Sequence, residues 1–232
     1  MTTRPNPTGK GLTPLSPETS GKAEDCRFSP EIRAGLSRLF RWRRDVRRFR
    51  RDPVPEAQIA RLLTEAGTAP SVGLSEPWRF VRVESENAKL LAQANFERAN
   101  AEALSGYSGE KAKIYAGLKL SGMQDVPVQF AVYCDAASEK GADLGVVTMP
   151  EMRAYSVVCA VMQLWLSARA EGLGLGWVSI LHPAQLTDDL DLPSDWQLIA
   201  YLCLGHPVEE HTDPELERAG WERRAAPEIL IR

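Results

Sequence analysis

From Met152 to Ala170 the chain is apolar nearly all round, with Tyr155, Val157, Val158, Cys159, Val161, Met162, Leu164, Trp165 and Leu166 leaving no broad polar face. A helix of that kind has to be covered on most sides. The fold is therefore expected to be built around it as a central core helix, with a share of its cover coming from a partner subunit. A glycine run follows directly, with Gly172, Gly174 and Gly176 at every second position before Trp177-Val178-Ser179-Ile180. The G-x-G-x-x-G turn of a dinucleotide-binding unit ends a strand and opens a helix. This run ends a helix and opens a strand, which disfavours a Rossmann unit. Gly172 reads as a helix C-cap in the left-handed conformation. Gly174 and Gly176 leave bare backbone that a planar ligand could approach, with N–H groups available to its ring edge.

Around these two features the pattern is mixed α and β, and no internal repeat is present. Ser29-Pro30-Glu31 opens a first helix, with Ser29 as cap, Pro30 at the first helical position, and Ile32, Leu36, Leu39 and Phe40 along one face. Pro55 to Gly67 is a second amphipathic helix, broken by the loop Thr68 to Gly73. Phe80 to Val83 alternates like a short strand. A long helical pattern runs from Glu86 to Leu104, is interrupted by Gly and Ser between Ser105 and Lys111, and resumes toward Met123; this region is the expected cover of a site. Val128 to Cys134 and Leu198 to Leu204 read as strands, and His182-Pro183 to Leu192 as a short helix.

Immediately after the first helix, Arg43-Arg44-Asp45-Val46-Arg47 places three guanidinium groups around one carboxylate. Planar arginine forks make bidentate, charge-assisted bonds to phosphate, so the run suits a phosphate site with an acid built into it. Taken alone, it equally describes a solvated face or a nucleic-acid patch. The formal net charge of -3 and an isoelectric point of about 5.8 argue against nucleic acid. With 232 residues the chain fits one domain. Cys26, Cys134, Cys159 and Cys203 lie far apart and read as reduced thiols of a cytoplasmic protein, the last three in the core. His182, His206 and His211 have no metal-ligand spacing and read as loop or strand-end residues, so no metal is expected. No run reaches membrane-spanning length. Residues 1–27 hold almost no large apolar side chain and read as a disordered tail without a secretory core, which leaves 28–232 as the folded domain.

Taken in order, Arg43 to Arg47, Ala69-Pro70-Ser71-Val72-Gly73, Pro77-Trp78-Arg79-Phe80 and Gly172 to Trp177 resemble the flavin-dependent nitroreductase superfamily. Four cues resemble the branch that fragments flavin. They are an aspartate inside the arginine motif, Gly176-Trp177-Val178-Ser179, the Tyr155 to Leu166 helix, and Gly220-Trp221 before a terminal arginine pair. The resemblance covers Arg41 to Pro227. It implies an α+β sandwich, a small mostly antiparallel sheet flanked by helices, assembled as a homodimer. It implies an oxidoreductase whose substrate is reduced FMN, supplied by a separate NAD(P)H flavin reductase, with O2 as co-substrate. The products would be 5,6-dimethylbenzimidazole, retaining the ribityl C1′ carbon, and erythrose 4-phosphate, serving the lower ligand of vitamin B12.

By the same resemblance Asp45 is the candidate base near the ribityl chain, with the neighbouring guanidinium groups expected to favour its ionised form at the cost of basicity. Without a catalytic role it would hold Arg44 or Arg47 by an ion pair. Ser179 is the second catalytic candidate, through a hydrogen bond at the ring edge; a serine in an apolar strand otherwise bonds the backbone. Arg43, Arg47 and Arg224 are assigned to the phosphate and nearby ribityl oxygens. Arg44, Val46, Ser71, Gly73, Leu120 and Gly176 complete the expected flavin contacts. One departure is Glu76, where the family's usual residue before Pro-Trp is glutamine. A conventional FMN-containing NAD(P)H nitroreductase and a non-enzymatic flavin-binding module stay open.

Overall fold

The computed structural model describes residues 27–118 and 122–232. The expectation of a disordered tail therefore falls, except for residue 27, outside the described residues, as does the assignment of Leu120. In chain order the elements are α1 (Pro30–Trp42), α2 (Glu56–Ala66), a 3-10 turn (Val72–Leu74), β1 (Trp78–Arg82), α3 (Glu86–Ser105), α4 (Gly109–Gly117) and α5 (Gly122–Asp125). Then come β2 (Val128–Asp135), α6 (Met152–Ala170), β3 (Gly174–Val178), α7 (Pro183–Asp189), β4 (Trp196–Gly205) and α8 (Glu215–Arg218). Helix α1 starts as its sequence dictates: the Ser29 side chain accepts from the Ile32 N–H at 3.4 Å and Pro30 fills the first turn. The helical pattern toward Met123 breaks into α4 and α5, and α8 is an element the periodicity did not announce.

Among the described residues the sheet has four strands in the order β1-β2-β4-β3, every pair antiparallel. The central strands β2 and β4 alternate their side chains between two cores, as a pleated strand must. Val128, Phe130, Val132, Ala200, Leu202 and Leu204 face α2 and α6, while Ala131, Tyr133, Tyr201 and Cys203 face α3, α5 and α7. The fold is thus the expected α+β sandwich. Burial on both faces explains why β2 and β4 read as continuous apolar runs. A polar link crosses the second core: the Tyr201 hydroxyl donates to Gln129 Oε1 at 2.6 Å, and Gln129 Nε2 donates to the Met123 carbonyl at 2.9 Å. It fixes α5 against the sheet.

Helix α6 is the core helix its composition demands, with Val157, Ala160, Val161, Leu164 and Ala168 fully buried. One stripe stays open: Tyr155, Val158, Cys159 and Met162 are exposed at helical spacing. Cys159 is therefore not a core thiol, unlike Cys134 and Cys203, and Cys26 lies outside the described residues. Gly172 ends α6 at φ +79°, with its N–H on the Arg169 carbonyl at 3.1 Å and the Leu173 N–H on the Ala168 carbonyl at 2.9 Å. That is the two-bond left-handed helix stop expected of this glycine. No described helix is long and apolar enough to cross a membrane.

Candidate active site

Strand β3 is an edge, and an edge left bare invites pairing. The arginine segment covers it. Beyond α1 the chain turns extended at Arg43, and the Val46 N–H donates to the Leu175 carbonyl at 3.1 Å in a parallel bridge between Asp45 and Leu175. Arg50 and Val208 then exchange backbone bonds with His206 and Arg48, at 2.8 and 3.0 Å, so residues 45–50 are clipped down along their length. The close approach is what Gly174 and Gly176 permit. A Cβ on Gly176 would stand 2.2 Å from the Val46 carbonyl oxygen, and one on Gly174 would stand 2.8 Å from Val46 Cγ2. The sequence reading gave that bare backbone to a planar ligand; Val46 occupies it instead.

This packing fixes Asp45 at the wall of a cavity of about 130 Å³, lined also by Arg47, Tyr115, Met123, Gly176, Trp177, Ser179, Ile180 and Cys203. One carboxylate oxygen accepts from the Trp177 N–H at 2.9 Å and the other from Arg47 Nε at 3.2 Å. The group is packed among protein atoms, yet its side chain keeps 38 % of its exposure and lines both the cavity and the cleft beside it. Burial pushes its pKa up from the ordinary aspartate value, against the downward pull of the Trp177 N–H and Arg47, with Glu215 adding a further push upward. The sequence reading expected the guanidinium groups to lower it. The physical reason for the reversal is that only Arg47 reaches the carboxylate, while removal from water disfavours the charge.

The other arginines point elsewhere. The Arg43 guanidinium lies 4.8 Å from the Trp165 ring centroid, and Arg44 donates through Nε to the Thr212 carbonyl at 2.9 Å and through Nη1 to the Arg43 carbonyl at 2.8 Å. Arg48, which the sequence reading left out, pairs with Glu209 and Glu215. Burial and the charge of Arg224 push the Arg43 and Arg44 pKa values down, so these cations crowd one another on the flank of the site. Arg44 lines a narrow cleft that adjoins the cavity and shares Asp45, Val46 and Arg47 with it. Arg47 is half satisfied: its Nη1 is buried with no hydrogen-bond partner among the described residues.

Ser179 stands one residue past the end of β3, exposed, on the same cavity as Asp45. It is thus not inside an apolar strand, and no described residue bonds its hydroxyl. Asp45, Val46, Arg47, Gly176 and Ser179 come together; Ser71 and Gly73 do not join them within one chain. Their loop precedes β1, at the opposite edge of the sheet, roughly 14 Å away at ordinary strand spacing. There the Ser71 hydroxyl accepts from the Glu76 N–H at 3.1 Å, and Gly73 at φ +56° packs on the carbonyls of Gly141 and Leu144. The Glu76 carboxylate pairs with Lys140, which offsets its charge. Trp177, Tyr115 and Cys203 are cavity residues that sequence reasoning did not assign. Trp177 stood in the motifs Gly172 to Trp177 and Gly176 to Ser179, but nothing local showed that its N–H would hold Asp45.

Residues 40–206 match the model of the Nitroreductase family, well over half of the chain, and the protein belongs to that family. Within it, a 5,6-dimethylbenzimidazole synthase of Rhodospirillum rubrum is 52 % identical over 205 residues, which span 88 % of this chain and 97 % of that relative. A 5,6-dimethylbenzimidazole synthase of Rhodobacter capsulatus is 45 % identical over 195 residues, 84 % of this chain and 94 % of the relative. Among solved structures, oxidised iodotyrosine deiodinase bound to FMN and 3-iodo-L-tyrosine superposes with a TM-score of 0.66 at 22 % identity, covering 85 % of this chain and 97 % of that one. That likeness extends the agreement to the fold.

Proposed function

We propose that the protein is an enzyme that fragments reduced FMN with oxygen to 5,6-dimethylbenzimidazole and erythrose 4-phosphate. The observation that carries this reading is the pairing of Asp45 and Ser179 on one cavity, with the two curated relatives named for that synthesis. FMN suits the residues present. Arg47 Nη1 is a buried donor that a flavin or ribityl oxygen would satisfy, and the crowded Arg43, Arg44 and Arg224 suit a phosphate. Asp45 removes a proton from the ribityl chain close to the ring, for which a raised pKa makes it a better base. Ser179 donates a hydrogen bond at the ring edge. A separate NAD(P)H flavin reductase supplies the reduced flavin.

The working form is a homodimer. The exposed stripes Ile32, Leu36 and Phe40 on α1 and Tyr155, Val158 and Met162 on α6 are apolar surface that a second copy would cover. Ser71 and Gly73, remote from Asp45 within one chain, would reach flavin only at the other protomer's site. A folded, flavin-competent monomer in sedimentation at micromolar concentration would remove this claim. The conventional nitroreductase reading is tested by adding NAD(P)H alone: the bound flavin should stay oxidised, and bleaching would favour the alternative. Incubation with reduced FMN in air, followed by chromatography, should yield the benzimidazole; intact flavin as the sole outcome would favour a binding module.

Two further outcomes are expected. A base must be ionised, so kcat/KM should fall as the pH drops through the Asp45 pKa, with this limb above the ordinary aspartate value of 3.8. Asp45→Glu should move that limb, whereas a limb unmoved by the change would assign it to another group. Ser179→Ala removes one exposed hydroxyl and should leave folding and reduced-FMN binding intact. Flavin should then return largely oxidised with hydrogen peroxide released, two electrons passing from reduced FMN to O2. Peroxide and benzimidazole assays read the partition; an unchanged ratio would return Ser179 to a structural role.

A further inference from the structure

Helix α4 roofs the cavity through Tyr115, and Leu118 continues the roof just past its end, yet α4 buries none of its own residues. A helix held by so little packing takes its position from a few contacts. Here they are aromatic. Tyr107 stacks on Tyr115 with centroids 5.0 Å apart, and meets Trp221 edge-on at 5.3 Å and 82°. Trp221 also lies 6.3 Å from Tyr115. Lys111 closes the group, its ammonium 4.3 Å from the Trp221 ring centroid and hydrogen-bonded to the Trp221 carbonyl. On its far side the Tyr115 hydroxyl donates to Asn100 Oδ1 at 2.8 Å, on α3.

Trp221 reaches this cluster from the C-terminal arm. Gly220, at φ +75°, stops α8, and the Trp221 N–H donates to the Leu216 carbonyl at 2.9 Å. Helix α8 is tied through Glu215 to Arg48 at 3.2 Å, three residues from Asp45. Three residues beyond Trp221, Arg224 repels Arg43 and Arg44. One indole thus stands between the roof of the cavity and the cationic flank. A phosphate held among the three guanidinium groups would draw the arm toward the body of the domain.

We infer that Trp221 is a positioning residue that pins α4 over the cavity and links the roof to the arginine arm, so that a flavin carrying a phosphate is enclosed and an unphosphorylated one is not. This rests on the FMN reading above. Hydrogen exchange of residues 109–117 in the full-length protein tests it, with oxidised FMN and riboflavin each at saturation by fluorescence quenching. FMN should slow exchange in α4 by about tenfold or more, and riboflavin should slow it far less. Trp221→Ala should abolish the slowing while holding FMN within about tenfold of wild type, and Trp221→Phe should restore most of it. With reduced FMN in air, Trp221→Ala should release more peroxide per benzimidazole. Equal protection by riboflavin, or wild-type protection in Trp221→Ala, would overturn the inference. Wild-type protein that encloses FMN but returns it intact would sink the fragmentation reading and support the Trp221 linkage.

Discussion

Asp45→Asn is expected to make 5,6-dimethylbenzimidazole about a hundredfold to ten-thousandfold more slowly than the wild-type protein, the range a positioned base contributes. FMN binding should stay within about tenfold, roughly 1.4 kcal/mol. The amide keeps the shape of the side chain and can still accept from the Trp177 N–H, which the carboxylate does at 2.9 Å. It loses the ion pair to Arg47 Nε, and that loss should account for any weakening of binding. Flavin titration and single-turnover product formation separate the two. A variant that binds no FMN would make Asp45 an organiser of Arg47. A variant that forms product at the normal rate would remove the catalytic assignment.

Among the described glycines an added Cβ would meet its closest contact at Gly176, so Gly176→Ala should be strongly damaging. Its Cβ would stand 2.2 Å from the Val46 carbonyl oxygen, a backbone atom that cannot swing aside. Because Val46 is bonded to Leu175 and Asp45 to Trp177, relief requires the whole 45–47 segment to lift from β3. The cost should be about 1–3 kcal/mol of stability. A displacement of about 1 Å at Asp45 should lower the rate of product formation by about a hundredfold besides. Gly172→Ala is the control. It meets open space, so it should cost about 1–2 kcal/mol through its φ of +79° and leave the rate unchanged. Denaturant midpoints and product rates measured side by side check both. Wild-type stability and rate in Gly176→Ala would mean that the arginine segment does not seat on β3.

Much of this was legible in the sequence. Ser29-Pro30 marked the start of α1, the apolar run marked α6, and Gly172 marked its end, because each is decided by bonds within a few residues. The glycines of β3 showed that something approaches closely, but not that Val46 does, since no local pattern encodes which distant segment covers an edge. The direction of the Asp45 pKa shift differs from the sequence-based expectation for a related reason. Adjacent letters counted three arginines around it, whereas Arg43 turns to Trp165 and Arg44 to Thr212, and burial is not written in neighbours. The open stripe of α6 was foreshadowed by a helix with more apolar surface than one chain covers. Trp221 stood out only as part of the Gly220-Trp221 motif, and nothing local placed it against α4, because its partners Tyr107, Lys111 and Tyr115 lie more than a hundred residues earlier.

The fate of one carbon decides the central claim. Reduced FMN labelled with carbon-13 at ribityl C1′ should be incubated with the protein in air, and the products separated and examined by mass spectrometry. The label should appear in 5,6-dimethylbenzimidazole, with unlabelled erythrose 4-phosphate formed in equal amount. Label recovered only in intact oxidised FMN, with hydrogen peroxide in matching quantity, would contradict flavin fragmentation.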